Sequence, residues 1–335
     1  FLLTRGEIKF ETDKRPQIRG VSVFGLPECL QLIAVGGEAQ LAPDQIDLAA
    51  KLLEPTAKVA LSGDVRFFAG LINLERLSSK SDAFHRIYRG QHPTRRDRVI
   101  LHLYDLSASH DKQARELARR EFETIQRWQK SPFVPSLLDS FQEAEGYPGE
   151  LYFFSLVDSA APSLIDRKQD ESWETNARIA YCRAAIAALA RFHQPDEPGL
   201  TSIIHRRITP ATLRVRHNGQ PLFTDFALTR LQDAQTICTA DVDLATLTPF
   251  VAPEVQSGGL AVADTRSDIY SLCASLLPLF EGDDPIAGQV RGILELGCAS
   301  NLEGRASLEE LDGLLLGIGS QKPLEHQLPA PDYWD

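Results

Sequence analysis

The spacing of apolar residues changes its period once along this chain, and that change restricts the fold more than any other feature. Between positions 71 and 157 the apolar residues fall in short runs: Leu71–Leu77, Arg86–Arg89, Arg98–Tyr104, Ser136–Phe141 and Leu151–Val157. Runs of that length, rich in branched and aromatic residues, read as strands. One charged segment interrupts them, from about Lys112 to Lys130, with Leu117, Ala118, Phe122 and Ile125 at helical spacing. From Glu174 onward the period is helical, over about Glu174–His193, Thr265–Phe280, Ile286–Leu296 and Ser307–Leu315. A strand-rich half with one helix, followed by a helical half, predicts an α+β chain in two lobes.

The 335 residues suffice for two such lobes and a further piece. We divide them into a small α/β segment over 1–64, a strand-rich lobe over 65–158, a helical lobe over 159–318 and a tail over 319–335. Within the first segment, Gln17–Leu26 and Leu30–Val35 are expected strands. Asp44 is the expected N-cap of a helix to Leu53, with Ile46, Ala49, Ala50 and Leu53 on one face. The Pro-bearing tail is expected to drape over the surface. A net charge of −11 excludes a chain built mainly to track nucleic-acid backbone, though it leaves room for a local basic patch. No apolar run reaches the roughly 20 residues needed to span a bilayer, so no membrane partner is expected. Phe1–Glu7 does not suit a signal peptide. Cys29, Cys182, Cys238, Cys273 and Cys298 are scattered, which suits free thiols in a reducing, cytoplasmic setting. The chain opens on Phe1 and has no methionine, as expected of a piece of a longer protein.

The most specific residues lie in the helical half. Ile204-His205-Arg206-Arg207-Ile208-Thr209-Pro210-Ala211-Thr212-Leu213 is followed by Phe223-Thr224-Asp225-Phe226-Ala227-Leu228, then Ala252-Pro253-Glu254, then Thr265-Arg266-Ser267-Asp268-Ile269-Tyr270-Ser271-Leu272. In this order the motifs resemble the catalytic loop, metal loop, A-P-E motif and long C-lobe helix of a eukaryotic-type protein kinase. The resemblance covers about residues 65–318 and implies a two-lobed kinase-like fold. It gives His205 and Asp268 structural roles, and it pairs Glu254 with Arg305 as a clamp. Removing one side of such a pair, if buried, costs several kcal/mol, ~3–5.

The same resemblance implies that the groups for phosphoryl transfer are replaced. The glycine-rich loop aligns with Lys80-Ser81-Asp82-Ala83-Phe84-His85-Arg86-Ile87, where side chains at Lys80, Asp82 and His85 would obstruct the backbone cradle for phosphates. His102 stands at the strand lysine and is no substitute for a fixed ammonium. Glu121 is either the helix partner of that position or a solvated helix carboxylate. Arg207 stands at the catalytic base, where a guanidinium cannot accept a proton. Thr212 replaces the Asn metal ligand, and Ala227 the glycine of the metal loop. Asp225 is retained, either as a Mg²⁺ ligand or as the counter-charge to Arg207; we expect a salt bridge between the two. Thr236, Thr239, Thr246 and Thr248 are expected to be polar loop or capping residues rather than phosphorylation sites.

In the first segment, Gly6-Glu7-Ile8-Lys9 and Leu41–Leu53 resemble parts of the nuclease-related (NERD) domain, which is joined to protein-kinase domains in some bacteria, including phage-defence proteins. A working nuclease is not expected, since a Glu and Lys alternating on a strand are ordinarily its wet face. The resemblance therefore implies a bacterial pseudokinase, a protein-binding scaffold or regulator of a defence or nucleic-acid-processing system. No cofactor is expected, and a nucleic-acid contact would use the N-terminal segment. The alternatives are a divergent kinase-fold enzyme that holds ATP and Mg²⁺ through Asp225, or the regulatory half of a nuclease-related protein.

Overall fold

The computed structural model describes residues 67–77, 85–93, 97–106, 114–144, 150–231 and 249–319. Expectations for the N-terminal segment, Lys80, Asp82, the threonines Thr236, Thr239, Thr246 and Thr248, and the tail lie outside these residues. The chain divides into two compact units. One holds the described residues up to Ala118 together with Ser136–Ser159, and the other holds Arg119–Pro135 and the described residues from Ala160 onward.

The first unit is a six-stranded antiparallel sheet. Its strands are β1 (Phe67–Phe68), β2 (Leu71–Arg76), β3 (His85–Gln91), β4 (Arg98–Asp105), β5 (Gln142–Glu143) and β6 (Leu151–Val157), in the spatial order β1-β2-β3-β4-β6-β5. Strand β4 has a partner on both sides: His102 lies opposite Ile87 of β3 and Phe154 of β6. Side chains alternate between faces, so Val99, Leu101 and Leu103 point one way and His102 and Tyr104 the other. The first set packs with Phe68, Leu71, Leu74, Tyr88 and Phe153 into one core. Gly90 is required here: a Cβ would come within 2.5 Å of Leu74 Cδ2 and 3.0 Å of the Ile72 carbonyl oxygen.

The run expected as a strand over Ser136–Phe141 forms no continuous ladder. Leu137 makes an isolated bridge to Leu156. The amides of Leu138 and Asp139 both point at the Ser155 carbonyl, at 2.9 and 3.4 Å, while the Ser155 hydroxyl donates to the Asp139 carboxylate. Two donors on one acceptor throw the strand out of register, and regular pairing resumes only at β5.

The helical content is concentrated in the second unit. α1 (Ala114–Arg127) carries the unit boundary, and its buried stripe is Ala118, Glu121, Phe122 and Ile125, at helical spacing. α2 (Leu164–Lys168) opens on a capping box from Ser163 and Asp166. α3 (Thr175–His193) buries Ile179, Cys182, Ala185, Ile186, Leu189 and Phe192. The short strands β7 (Ile203–Ile204), β8 (Leu213–Val215), β9 (Pro221–Phe223) and β10 (Arg230–Leu231) form two antiparallel pairs, β7 with β10 and β8 with β9. α4 (Pro253–Gly258), α5 (Thr265–Leu276), α6 (Pro285–Gly297) and α7 (Leu308–Gly319) follow. The helix expected to run to Phe280 tightens into a 3₁₀ turn over Leu277–Phe280, where Pro278 has no amide to donate. The described cysteines Cys182, Cys273 and Cys298 are free thiols. Among the described residues no helix is long and apolar enough to cross a membrane.

Candidate functional site

β7 and β10 hold the ends of two loops side by side, and the residues singled out in the helical half collect there. The chain leaves β7 through His205, then turns at Arg206 with a positive φ of 66°. That conformation is unfavourable for a residue with a side chain, so the surroundings must fix it. Asp268, 1% exposed near the start of α5, does so: its carboxylate accepts the His205 amide at 2.6 Å and the Arg206 amide at 2.8 Å. His193 Nε2, at the end of α3, lies 3.2 Å from the same carboxylate. Charge-assisted bonds of this kind are roughly twice as strong as neutral ones, which suits an anchor for a strained turn.

The imidazole of His205 packs 4.8 Å, centroid to centroid, from Phe226, within an aromatic cluster that includes Phe192 and Phe223. Burial pushes its pKa down to about 4; the Asp268 charge opposes that fall and Arg207 adds to it. His205 is therefore a neutral packing residue, with no access to a reacting group.

Arg207 and Asp225 come together as expected. The guanidinium Nε is 3.1 Å from Asp225 Oδ2, and Nη1 donates to Oδ1 at 3.4 Å. Asp225 also holds a positive φ, 67°, which short acidic side chains tolerate better than most. The pair is partly exposed, 36% for the Arg207 side chain and 20% for Asp225. In such surroundings an ion pair contributes roughly 0–1 kcal/mol, so it sets local charge more than stability.

Thr212 takes a role that sequence reasoning did not assign. Its hydroxyl donates to the Arg207 carbonyl at 2.9 Å and accepts from the Thr209 amide at 2.9 Å. Thr224 donates its own hydroxyl to the Thr212 carbonyl at 2.8 Å, tying the two loops together. The spacing of Thr209 and Thr212, with Pro between them, is the only sequence signal for this local capping.

A cavity of about 500 Å³ adjoins the pair. Arg207, Thr212 and Asp225 are among its lining residues, as are Leu164, Phe250 and Leu279. Among the described lining residues Asp225 is the one carboxylate, and it is engaged with Arg207. The arrangement can seat an apolar group beside a neutralised ion pair. Arg207 has no lone pair with which to take a proton.

Away from the cavity, Glu254 and Arg305 make a two-pronged pair, Nη1–Oε1 2.9 Å and Nη2–Oε2 3.0 Å. Ser267 donates to Glu254 Oε1 at 2.8 Å, and Arg305 also donates to the carbonyls of Arg266 and Ala299. Burial alone would raise the pKa of Glu254; hydrogen bonds from Arg305 and Ser267 and the Arg305 charge outweigh it and hold the carboxyl below the usual range. Glu121 is fully buried, so the reading as a solvated carboxylate is wrong: it lies in the inward stripe of α1 and not on its outer face.

In the first unit, His102 is 5% exposed and stacks on Phe154, centroids 4.8 Å apart. His85 stacks on Tyr104 at 4.2 Å. The two imidazoles meet, with His85 Nε2 3.2 Å from His102 Nδ1. That contact depends on strand register and was not legible in the sequence.

No protein-family model matches the chain. Several curated serine/threonine-protein kinases are similar over part of it. PknL of Mycobacterium tuberculosis is 28% identical over 113 residues, 34% of this chain and 26% of that protein. The DNA damage-responsive kinase RqkA of Deinococcus radiodurans is 30% identical over 170 residues, 50% of this chain and 24% of that protein. PrkC of Bacillus subtilis is 32% identical over 104 residues, 31% of this chain and 15% of that protein. The chain thus spans about a quarter or less of these relatives' lengths. Together with its mixed strands and helices, these similarities give the chain a protein-kinase-like fold.

Proposed function

We propose that this chain is a pseudokinase, a kinase-like protein that works by binding a protein partner as a scaffold or regulator and does not transfer phosphate. One observation carries the reading: the position of the catalytic base holds Arg207, and its guanidinium is 3.1 Å from the Asp225 carboxylate. An arginine there cannot accept the substrate hydroxyl proton, and a positioned base is worth about 10²–10⁴ in rate. The same charge competes with Mg²⁺ for Asp225, and the Thr212 hydroxyl is spent within its own loop. His102 in place of the strand lysine removes a further phosphate contact. A setting in a bacterial defence or nucleic-acid-processing system rests on the resemblance of residues 1–64 alone.

The partial exposure of the Arg207–Asp225 pair favours one second reading, nucleotide binding through Asp225 once Arg207 swings away. A thermal-shift titration with ATP, with and without Mg²⁺ or Mn²⁺, separates the two. A ligand present at about 100 times its Kd stabilises the folded state by ~2.7 kcal/mol, which is readily visible. The pseudokinase reading expects no metal-dependent rise in melting temperature. A metal-dependent rise abolished by Asp225→Ala, with phosphate transfer to any protein substrate, would overturn it.

A further inference from the structure

We propose that His85 and His102 form the protein half of a binding site for a divalent transition-metal ion of the Zn²⁺ class. The inference stands apart from the pseudokinase reading and concerns the first unit alone. Two ring nitrogens, His85 Nε2 and His102 Nδ1, lie 3.2 Å apart. With Zn–N bonds of about 2.0–2.1 Å and a tetrahedral angle, two ligating nitrogens stand about 3.3 Å apart. The observed separation matches the bite of a tetrahedral ion.

Two imidazole nitrogens that close share either a proton or a metal between them, because two facing lone pairs repel. Several features favour the ion. The ligands sit on adjacent paired strands, β3 and β4, where His85 lies opposite Tyr104 and Ile87 opposite His102. All four side chains project on one face of the sheet. Tyr104 stacks on His85 with 8° between the ring planes, and Phe154 stacks on His102 with 20°. These stacks fix both rings before any ion arrives, so little rotamer freedom is lost on binding. His102 is buried while His85 is only partly so, which leaves a side from which an ion can enter.

Donor chemistry sets the class. Neutral imidazoles suit Zn²⁺, Cu²⁺ and Ni²⁺, whereas Mg²⁺ requires oxygen ligands and gives up its waters reluctantly. The remaining coordination positions belong to water or to an incoming ligand.

Calorimetric titration of the full chain with Zn²⁺, beside an identical titration with Mg²⁺, tests the assignment. The expected result is one saturable equivalent of Zn²⁺ and no equivalent Mg²⁺ site. His85→Gln, at the partly exposed position, should weaken Zn²⁺ binding by at least about tenfold, the scale set by losses even outside the ligand shell. Its metal-free melting temperature verifies that the variant is folded. Should it prove unfolded, electron paramagnetic resonance of the Cu²⁺-loaded native chain decides, with coupling to two imidazole nitrogens expected. Absence of saturable Zn²⁺ binding, a folded His85→Gln that binds as tightly as the native chain, or coupling to fewer than two nitrogens would each overturn the proposal and leave an N–H···N hydrogen bond.

Discussion

Arg305→Met removes one of the most heavily bonded described side chains of the helical unit and should be strongly destabilising. The Arg305 side chain is fully buried, while Glu254 is 18% exposed. The substitution keeps the aliphatic stem and deletes both bonds to Glu254, the donations to the Arg266 and Ala299 carbonyls, and a guanidinium stacked 5.2 Å from the Tyr270 ring centroid. Glu254 would keep the Ser267 hydroxyl, so its charge is not wholly stranded. Breaking one side of a buried pair costs ~3–5 kcal/mol, and the residual exposure of Glu254 places this case near the lower end. For a domain of this size each kcal/mol lowers the melting temperature by roughly 2–4 °C, so a fall of roughly 6–12 °C is expected. Glu254→Gln should cost less, because a neutral amide still accepts from Arg305. Combining the two should recover part of the sum, since an amide needs its counter-charge less. The pair also has a pH signature. The carboxyl of Glu254 is held below its ordinary value of 4.5 in the fold, so the stabilisation is present above that value and is lost as pH falls through the lowered one. Calorimetric melts of the four proteins at neutral and acid pH measure all of this. A loss below about 1 kcal/mol for Arg305→Met would refute the reasoning, because it would place the pair among ordinary surface contacts.

Three further outcomes are expected. His205 is neutral in the fold, with its pKa lowered from 6.5 to about 4, so the unfolded chain binds the extra proton. Stability is then full above pH 6.5 and falls on acidification toward pH 4 by about 3 kcal/mol from this residue, a slope that His205→Phe should flatten in pH-dependent melts. Thr212→Val keeps the shape and removes the hydroxyl that satisfies the Arg207 carbonyl and the Thr209 amide; a loss of about 1–3 kcal/mol in denaturant unfolding is expected. Arg207→Asp places a second carboxylate beside Asp225, so without divalent ion it should melt lower than the native chain, and Mg²⁺ should raise it more than it raises the native chain.

Where the sequence could be read, physical periodicity made it so. β6 spans Leu151–Val157, the run expected, because a continuous apolar stretch between polar turns has few other ways to bury itself. α3 differs from its expected range by one residue at the start. The Arg207–Asp225 contact was expected from the kinase resemblance, which sets the two loops together, and from their opposite charges, and it is present. Contacts set by register were not accessible. That His85 meets His102 follows from which residue of β3 lies opposite which residue of β4, and a slip of one position would have turned one ring to the other face. Glu121 was left between two readings for a related reason: a carboxylate in a charged helix reads as exposed unless its place in the stripe of Ala118, Phe122 and Ile125 is weighed above its polarity.

The residues that hold the helical unit together and the residues that line the cavity are physically separate sets, so one could change while the other stays. Asp268 grips the backbone of the loop through two amides, and those amides are the same whatever side chain follows at 207. Arg305 acts on Glu254 and on carbonyls of α5 and the turn before α7, none of which line the cavity. The loop positions that differ are mutually adjusted. The Arg207 charge meets Asp225, and the Thr212 hydroxyl fills bonds inside the loop. A buried frame of charge-assisted bonds tolerates few substitutions, whereas a partly exposed pair contributes so little to stability that it is free to vary. In this chain the frame is present and the exposed Arg207–Asp225 groups balance each other, the arrangement on which the proposed pseudokinase reading rests.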